Sequence, residues 1–265
     1  MKNEALNSYH AFFLDVDGVL VRGGEVIPGA IEGVVKLQRM GRVLLLSNNS
    51  TRSRKQVALS LKEAGFPIEE QDIVNSAFIA SEYLREHYGL LRVWPLGEEG
   101  LSEELLNCGH KLVAPQEAEW IVAGMDRSLD YDRLTEALVA LSVCGGRLLA
   151  TNTDRTFPTT DGPRPGAGAT IGALTGMGYP PTIIVGKPAR IAFEIALERA
   201  ECKPEEALMI GDRMETDILG ASRAGIDSAL VLTGVSRREM IETDAYAPRF
   251  VARSLQDLAN GNLCG

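Results

Sequence analysis

Two acids directly follow an apolar run near the start of the chain. Residues 11–14 read AFFL, and Asp15, Asp17 and Gly18 come next. Burying carboxylates beside a hydrophobic core is costly unless a cation or strong hydrogen-bond donors meet them. The spacing therefore predicts that Asp15 and Asp17 face a cationic group.

Three further polar clusters follow apolar runs in the same way. In an open parallel sheet, ligands bind beyond the carboxyl ends of the strands. Clustered carboxylates favour a hard cation such as Mg2+, and a lysine with a hydroxyl suits a phosphate. The sequence thus predicts a phosphate-and-magnesium site. The three clusters are Ser47, Asn48 and Asn49 after VLLL, Gly186 and Lys187 after IIV, and Gly211 and Asp212 after ALMI, with Asp217 five residues beyond Asp212.

Each cluster also has a simpler interpretation. An isolated D-x-D-G is often a turn, and Ser or Asn before a helix often serves as its N-cap. Lys187 alone could be a surface residue, and Asp217 alone could complement a helix dipole. The order of the four clusters, acid pair, hydroxyl, lysine and acid pair, favours the functional interpretation.

Composition restricts the class of partner. The chain has 265 residues, 45% of them hydrophobic, and a formal net charge of −9. That charge argues against nucleic acid or an anionic membrane as the main partner and favours a small molecule. The four cysteines lack C-x-x-C spacing, which argues against a zinc site or a redox pair. The sequence has no signal-peptide pattern and no apolar run long enough to span a bilayer, so a cytoplasmic location is expected.

The elements that must position these clusters follow an α/β pattern. Runs that are apolar on both faces indicate a parallel sheet covered by helices, as in a Rossmann-like core. Helices are expected between the strands, at 54–64 and from Pro188 to Ala200. The predicted core strands are 11–14, 43–46, 183–185, 207–210 and 229–232.

The middle of the chain has its own alternation of strands and helices. It is long enough to form a separate domain. We therefore expect an α/β cap domain at 80–181, inserted into a discontinuous core of 1–79 and 182–265. The predicted cap strands are 92–96, 111–113, 120–123 and 147–150, and the predicted cap helices are 99–106 and 131–144.

The motifs resemble those of the haloacid dehalogenase-like superfamily. Its four motifs match DVDG, LSNN, GKP and GDRMETD in the same order. The insertion resembles the large α/β cap of the class IIA branch, which contains NagD-like and p-nitrophenyl-phosphatase-like enzymes. Three further segments, at 26–30, 123–134 and 151–169, also resemble that branch. The resemblance covers nearly the whole chain.

The resemblance implies roles for the motif residues. Asp15 would be the nucleophile that forms an aspartyl-phosphate, and Asp17 would act as general acid and then as general base. Mg2+ would be held by the carboxylates of Asp15 and Asp212 and by the backbone carbonyl of Asp17. Asp217 would orient this arrangement. Ser47 and the Asn48 N–H would hydrogen-bond the phosphoryl oxygens, and Lys187 would offset charge on both Asp15 and the phosphate.

Within the superfamily, an acid at position 17 is typical of phosphatases and mutases. The short segment between Gly18 and Ala30 has no room for the small cap that mutases carry, which favours a phosphatase. Substrates compatible with the family include sugar phosphates, phosphoglycolate, nucleoside monophosphates and p-nitrophenyl phosphate. Two alternatives stay open: a phosphotransferase that uses the same aspartyl-phosphate, and a non-catalytic protein that binds phosphorylated metabolites.

Three polar residues follow the predicted cap strand that ends at Ala150. Asn152, Asp154 and Arg155 lie in a Thr-, Asp-, Gly- and Pro-rich loop before a helix expected near Gly166. They could contact the substrate from the cap, or they could only cap and turn the chain. The resemblance is also compatible with a homodimer formed through the cap.

Overall fold

The structure is a computed structural model that describes residues 6–159, 161–243 and 246–264. Residues 1–5, 160, 244–245 and 265 belong to the predicted domain ranges but lie outside the described residues. The strands in chain order are Ala11–Leu14 (β1), Val21–Arg22 (β2), Glu25–Val26 (β3), Arg42–Ser47 (β4), Ile73–Asn75 (β5), Arg92–Leu96 (β6), Lys111–Leu112 (β7), Trp120–Ala123 (β8), Arg147–Ala150 (β9), Thr156–Thr159 (β10), Gly162–Pro165 (β11), Ile183–Ile184 (β12), Ala207–Gly211 (β13), Asp227–Val231 (β14) and Phe250–Ala252 (β15).

The helices alternate with these strands. In chain order they are Ala30–Gln38 (α1), Arg54–Glu63 (α2), Ser76–Tyr88 (α3), Glu99–Asn107 (α4), Tyr131–Ser142 (α5), Ala167–Gly176 (α6), Arg190–Ala200 (α7), Leu219–Ala224 (α8) and Leu255–Asn260 (α9). None of these described helices has the length and apolar composition that crossing a bilayer requires.

The chain forms two compact units. The first comprises 1–47, 58–74 and 187–265, and the second comprises 48–57 and 75–186. The first unit contains a six-stranded sheet in the order β15-β14-β13-β1-β4-β5. Every residue of β1 and β13 is buried, which explains why these strands read as unbroken apolar runs.

The second unit contains a five-stranded sheet in the order β12-β9-β8-β6-β7. All four pairings between its neighbouring strands are parallel. Trp94 packs in a buried cluster with residues such as Ile121 and Leu174, and β10 and β11 form a separate antiparallel hairpin. The predicted α/β fold class is confirmed. The assignment of 80–181 as a cap domain stays a prediction.

The strand predicted at 183–185 lies in a different sheet from the one expected. Ile183 and Ile184 form β12, which pairs with β9 of the second unit and not with a strand of the first. The apolar run marks a strand but does not encode its partner. Lys187 is therefore the first residue of a segment that returns to the first unit, and the strand directly before it, β12, belongs to the second sheet.

Two other local predictions are corrected. The predicted helix from Pro188 begins instead at Arg190, because the chain remains extended at Ala189. The loop expected before α6 contains the hairpin of β10 and β11, where paired backbone groups replace the simple turn.

Candidate active site

The first sheet brings several predicted site residues to one edge. Strands β13 and β4 flank β1, and both run parallel to it, with Leu14 paired to Ile210 on one side and to Leu45 on the other. The Asp15 N–H continues the pairing by donating to the Ile210 carbonyl over 2.9 Å. Asp15 and Ser47 thus lie at the carboxyl ends of neighbouring strands, where ligands bind in such sheets.

Lys187 forms a buried pair of salt bridges. Its Nζ lies 2.8 Å from Asp15 Oδ1 and 2.7 Å from Asp217 Oδ1. The side chains of Lys187 and Asp217 are 3% and 0% exposed, so solvent hardly screens this interaction. The structure therefore joins residues from three distant sequence motifs.

Asp217 is held from both of its carboxylate oxygens. Oδ2 accepts hydrogen bonds from the backbone N–H groups of Asp212 and Arg213, while Oδ1 meets Lys187. It lies in a π-helical turn, Met214–Ile218, a feature that often occurs at functional sites. A Cβ at Gly211 would lie 2.3 Å from the Asp217 side chain, so glycine is required there. These contacts fit the predicted orienting role of Asp217 better than direct metal binding.

Asp212 presents one free carboxylate oxygen. Oδ2 accepts a hydrogen bond from the Val235 N–H at 2.7 Å. Oδ1 is buried and has no hydrogen-bond partner among the described residues. Ligand atoms of Asp15, Asp212 and Asp217 lie within 4.8 Å of one another. An unpartnered buried oxygen beside two other carboxylates fits a hard divalent cation with oxygen ligands.

The charges of this cluster do not balance internally. Asp15, Asp212 and Asp217 carry three negative charges when ionised, and Lys187 carries one positive charge. Burial and, to a smaller extent, the neighbouring Asp217 together raise the pKa of Asp212 to about 7, although the Val235 N–H, Arg213 and Lys187 act to lower it. Burial also raises the pKa of Asp15 well above its usual value, against the attraction of Lys187. Burial lowers the pKa of Lys187, but the two adjacent carboxylates outweigh it, so Lys187 stays protonated.

Asp17 differs from the buried acids because its side chain is exposed. The surrounding protein nevertheless desolvates its carboxyl enough to raise the pKa above the usual value, while Arg213 and Lys187 oppose that shift. Gly18 has a φ of +89°, and a Cβ there would lie 2.4 Å from Asp212 Oδ2. The turn after Asp17 thus requires glycine, which the sequence predicts.

Ser47 and Asn48 belong to different compact units. Ser47 is nearly buried at the end of β4, whereas Asn48 begins the second unit. The Asn48 carbonyl accepts hydrogen bonds from Ser76 Oγ and Asn152 Nδ2. Asn48 Nδ2 also donates to both carboxylate oxygens of Asp154, at 3.1 and 3.2 Å.

Two of the three polar residues in the loop after Ala150 contact Asn48. Asn152 and Asp154 hold Asn48 within the second unit. Arg155 instead lines a surface cavity of about 640 Å³ with Thr153 and one face of α6. The three residues thus have different contacts, and a substrate contact from any of them stays a prediction.

The loop after β14 is a part of the site that the sequence does not predict. Its Val235 N–H binds Asp212, and its Thr233 hydroxyl donates to the Gly18 carbonyl. The only signal in the sequence is that LTGVS follows a core strand and contains a glycine, which is typical of many ordinary turns.

Family comparisons agree with the site. A family model described as haloacid dehalogenase-like hydrolase matches residues 12–111, and a second, described as HAD-hydrolase-like, matches 184–258. The sugar-phosphatase AraL of Bacillus subtilis (strain 168) is 37% identical over 92% of this chain and 90% of its own. The chain belongs to the haloacid dehalogenase-like hydrolases.

Solved structures place this hydrolase more narrowly. A p-nitrophenyl phosphatase from Archaeoglobus fulgidus superposes with a TM-score of 0.90 at 36% identity, covering 95% of this chain and 98% of the other. A putative NagD protein gives a TM-score of 0.88 at 27% identity, covering 96% and 98%. The hydrolase is thus a class IIA, NagD-like member of the superfamily and a phosphatase.

Proposed function

We propose that the protein is a Mg2+-dependent phosphatase that hydrolyses small phosphate monoesters through an aspartyl-phosphate on Asp15. The observation that carries the proposal is the buried cluster in which Lys187 bridges Asp15 and Asp217 while Asp212 Oδ1 has no hydrogen-bond partner among the described residues. Such a cluster offers a nucleophile and a place for a divalent cation within one small volume.

Mg2+ would be held by the carboxylates of Asp15 and Asp212 and by the backbone carbonyl of Asp17. When bound, the ion would offset the excess negative charge of the carboxylates and of a phosphate. Asp217 would orient the ligands from behind, because both of its oxygens are already engaged. Mg2+ is preferred over softer metals because every available ligand atom is oxygen.

The phosphoryl group would be bound by donors around Asp15. The Lys187 ammonium is already 2.8 Å from the Asp15 carboxylate and would offset charge on the incoming phosphate. The Ser47 hydroxyl and the Asn48 N–H would donate hydrogen bonds to the phosphoryl oxygens. Preorganised donors of this kind typically contribute about 3 kcal/mol each to transition-state stabilisation.

Hydrolysis would proceed in two displacements. In the first, an Asp15 oxygen bonds to phosphorus while the ester P–O bond breaks, and Asp17 gives its proton to the leaving oxygen. In the second, Asp17 removes a proton from water as the water oxygen bonds to phosphorus and the Asp15–phosphorus bond breaks. The exposure of Asp17 suits a group that exchanges protons with both leaving group and water.

Substrate choice would depend on the cap, residues 80–181. A cap that covers the strand ends excludes water and supplies side chains to the leaving group. We assign a substrate contact to Arg155. Asn152 and Asp154 would act instead by fixing Asn48, since their side chains already bond to it. A sugar phosphate is the favoured substrate class because AraL, named a sugar-phosphatase, shares 37% identity.

The proposal is tested with p-nitrophenyl phosphate and a panel of sugar phosphates, phosphoglycolate and nucleoside monophosphates. Turnover should require Mg2+, stop on chelation with EDTA, and disappear in Asp15→Asn. Glu63→Gln is a control because that acid is exposed on α2 and is not one of the residues assigned to the site or to the cap. Full activity in EDTA would contradict the metal assignment, and an active Asp15→Asn protein would exclude Asp15 as nucleophile.

A further inference from the structure

The loop at 232–236, which reads LTGVS, lies against Asp212 at two points. The Val235 N–H donates to Asp212 Oδ2 over 2.7 Å, and the Ser236 N–H donates to the Asp212 carbonyl over 3.0 Å. Consecutive backbone donors therefore fix both the side chain and the main chain of the same acid. None of the four motifs DVDG, LSNN, GKP and GDRMETD includes this loop.

Gly234 allows the loop to approach this closely. A Cβ at Gly234 would lie 1.8 Å from Asp212 Oδ2 and 2.5 Å from Asp212 Cβ. Real Cβ atoms do not approach other atoms this closely, so a side chain there would displace the carboxylate or the loop. The loop backbone thus covers one side of the Asp212 carboxylate.

Both ends of the 232–236 loop are tied to neighbouring strand ends. The Thr233 hydroxyl donates to the Gly18 carbonyl in the turn after β1. Ser236 Oγ accepts a hydrogen bond from the Met214 N–H at 3.0 Å, in the turn after β13. Ser236 is 3% exposed, so this contact is shielded from water. The loop consequently links the two segments that carry Asp15 and Asp212.

We propose that the 232–236 loop is a positioning element for the divalent cation. By binding Asp212 Oδ2 and excluding other rotamers, it leaves Oδ1 directed at the cation. The inference rests on the proposed function in taking Asp212 as a metal ligand. Groups that orient metal ligands in this way typically change metal affinity by about 10- to 100-fold when removed.

The test compares variants that differ in one backbone donor. Val235→Pro removes the N–H that binds Asp212, whereas Val235→Ala keeps it. The dissociation constant of Mn2+, used as a probe for the metal alone, is measured by electron paramagnetic resonance on the full chain. We expect Val235→Pro to bind Mn2+ at least about tenfold more weakly than the wild type. Val235→Ala should stay close to the wild type.

A second pair keeps the test decisive if the proline variant does not fold. Gly234→Ala places a methyl group against Asp212, and Gly172→Ala is its control, since a Cβ at Gly172 meets nothing within 4 Å. Folding is checked by circular dichroism on the metal-free proteins. We expect weaker Mn2+ binding only in Gly234→Ala.

Two results would overturn the inference and are distinguishable from each other. If wild type binds Mn2+ and the folded Gly234→Ala or Val235→Pro protein binds it equally well, the loop is merely structural and the inference fails alone. If wild type itself binds no Mn2+, the metal site of the proposed function fails as well. Phosphatase activity of wild type then shows whether the hydrolytic part of the proposal survives.

Discussion

The Lys187 ammonium lies 2.8 Å from Asp15 Oδ1, and both side chains are nearly buried. A second carboxylate, Asp217, meets the same ammonium at 2.7 Å. Together with Asp212, which lies close to both of these acids, the cluster holds three carboxylates and one ammonium, so its formal charge is −2 when all four groups are charged. A divalent cation would restore neutrality, which is the electrostatic basis of the proposed site.

Lys187→Met should destabilise the protein and abolish turnover. The substitution leaves Asp15 and Asp217 facing each other without the ammonium. Removing one partner of a buried ion pair typically costs about 3–5 kcal/mol of unfolding free energy. Urea unfolding of the metal-free protein measures that change, and a phosphatase assay measures the turnover.

The exposed Lys62, which pairs with Glu69, provides the matched control. Lys62→Met should change the unfolding free energy by less than about 1 kcal/mol, because solvent screens exposed pairs. Equal free energies of unfolding for Lys187→Met and Lys62→Met would contradict the stabilising effect assigned to the buried ion pairs of Lys187.

Asp17→Asn should separate the two chemical steps. p-Nitrophenolate leaves readily without a proton, so phosphoryl transfer to Asp15 can proceed, whereas water attack lacks its base. Stopped-flow absorbance should show a burst of about one p-nitrophenolate per enzyme, followed by slow steady-state release. Glu63→Gln, which changes an exposed acid on α2, should show wild-type kinetics. Fast multiple turnover without a burst in Asp17→Asn would contradict the role of this acid.

The metal-free protein should lose stability as pH rises toward neutrality. Burial raises the pKa of Asp212 to about 7 in the folded state, against about 4 in an unfolded chain. The folded state thus binds the extra proton, so its stabilising contribution is complete below pH 4 and is lost as pH rises through 7. Adding Mg2+ at pH 8 should restore the loss.

Thermal unfolding in EDTA between pH 5 and pH 8 measures this dependence. Asp212→Asn is the control, because its side chain does not titrate, and its melting temperature should fall less over the same range. Identical pH profiles for Asp212→Asn and wild type in EDTA would contradict the assigned titration.

Asp154→Ala and Arg155→Ala should have different effects although the residues are adjacent. Asp154 holds Asn48 through two hydrogen-bond contacts, so its loss should lower kcat for every phosphate monoester by a similar factor. Arg155 should contact the leaving group, so its loss should raise KM for some substrates and change their ranking. Kinetics on the substrate panel test this, and a changed ranking in Asp154→Ala with none in Arg155→Ala would reverse both roles.

The sequence predicts the strand-end acids of the first sheet well, and the reason is physical. Buried parallel strands read as apolar runs, so β1 and β13 are visible, and the polar residues after them must lie at one edge. Asp15 and Asp212 follow directly from this rule. The motif resemblance adds the chemical roles, which periodicity alone does not give.

Partners of individual strands and loops are much harder to predict. The IIV run contains a strand, but Ile183 and Ile184 pair with β9 of the second sheet. Lys187 therefore contacts Asp15 without following a strand of the first sheet, although the sequence predicts that it follows one. The 232–236 loop acts through its backbone N–H groups, which every non-proline residue carries. Its contact with Asp212 is therefore invisible in the sequence and becomes evident only from three-dimensional proximity.

Mass spectrometry of the trapped enzyme tests the central claim most directly. Asp17→Asn is mixed with p-nitrophenyl phosphate and Mg2+, quenched in acid during the burst, digested and mapped. We expect the mass of one phosphoryl group on the peptide that contains Asp15, localised to that residue and absent from the doubly substituted Asp15→Asn, Asp17→Asn protein. A full burst of p-nitrophenolate with no phosphoryl group on Asp15 would contradict it.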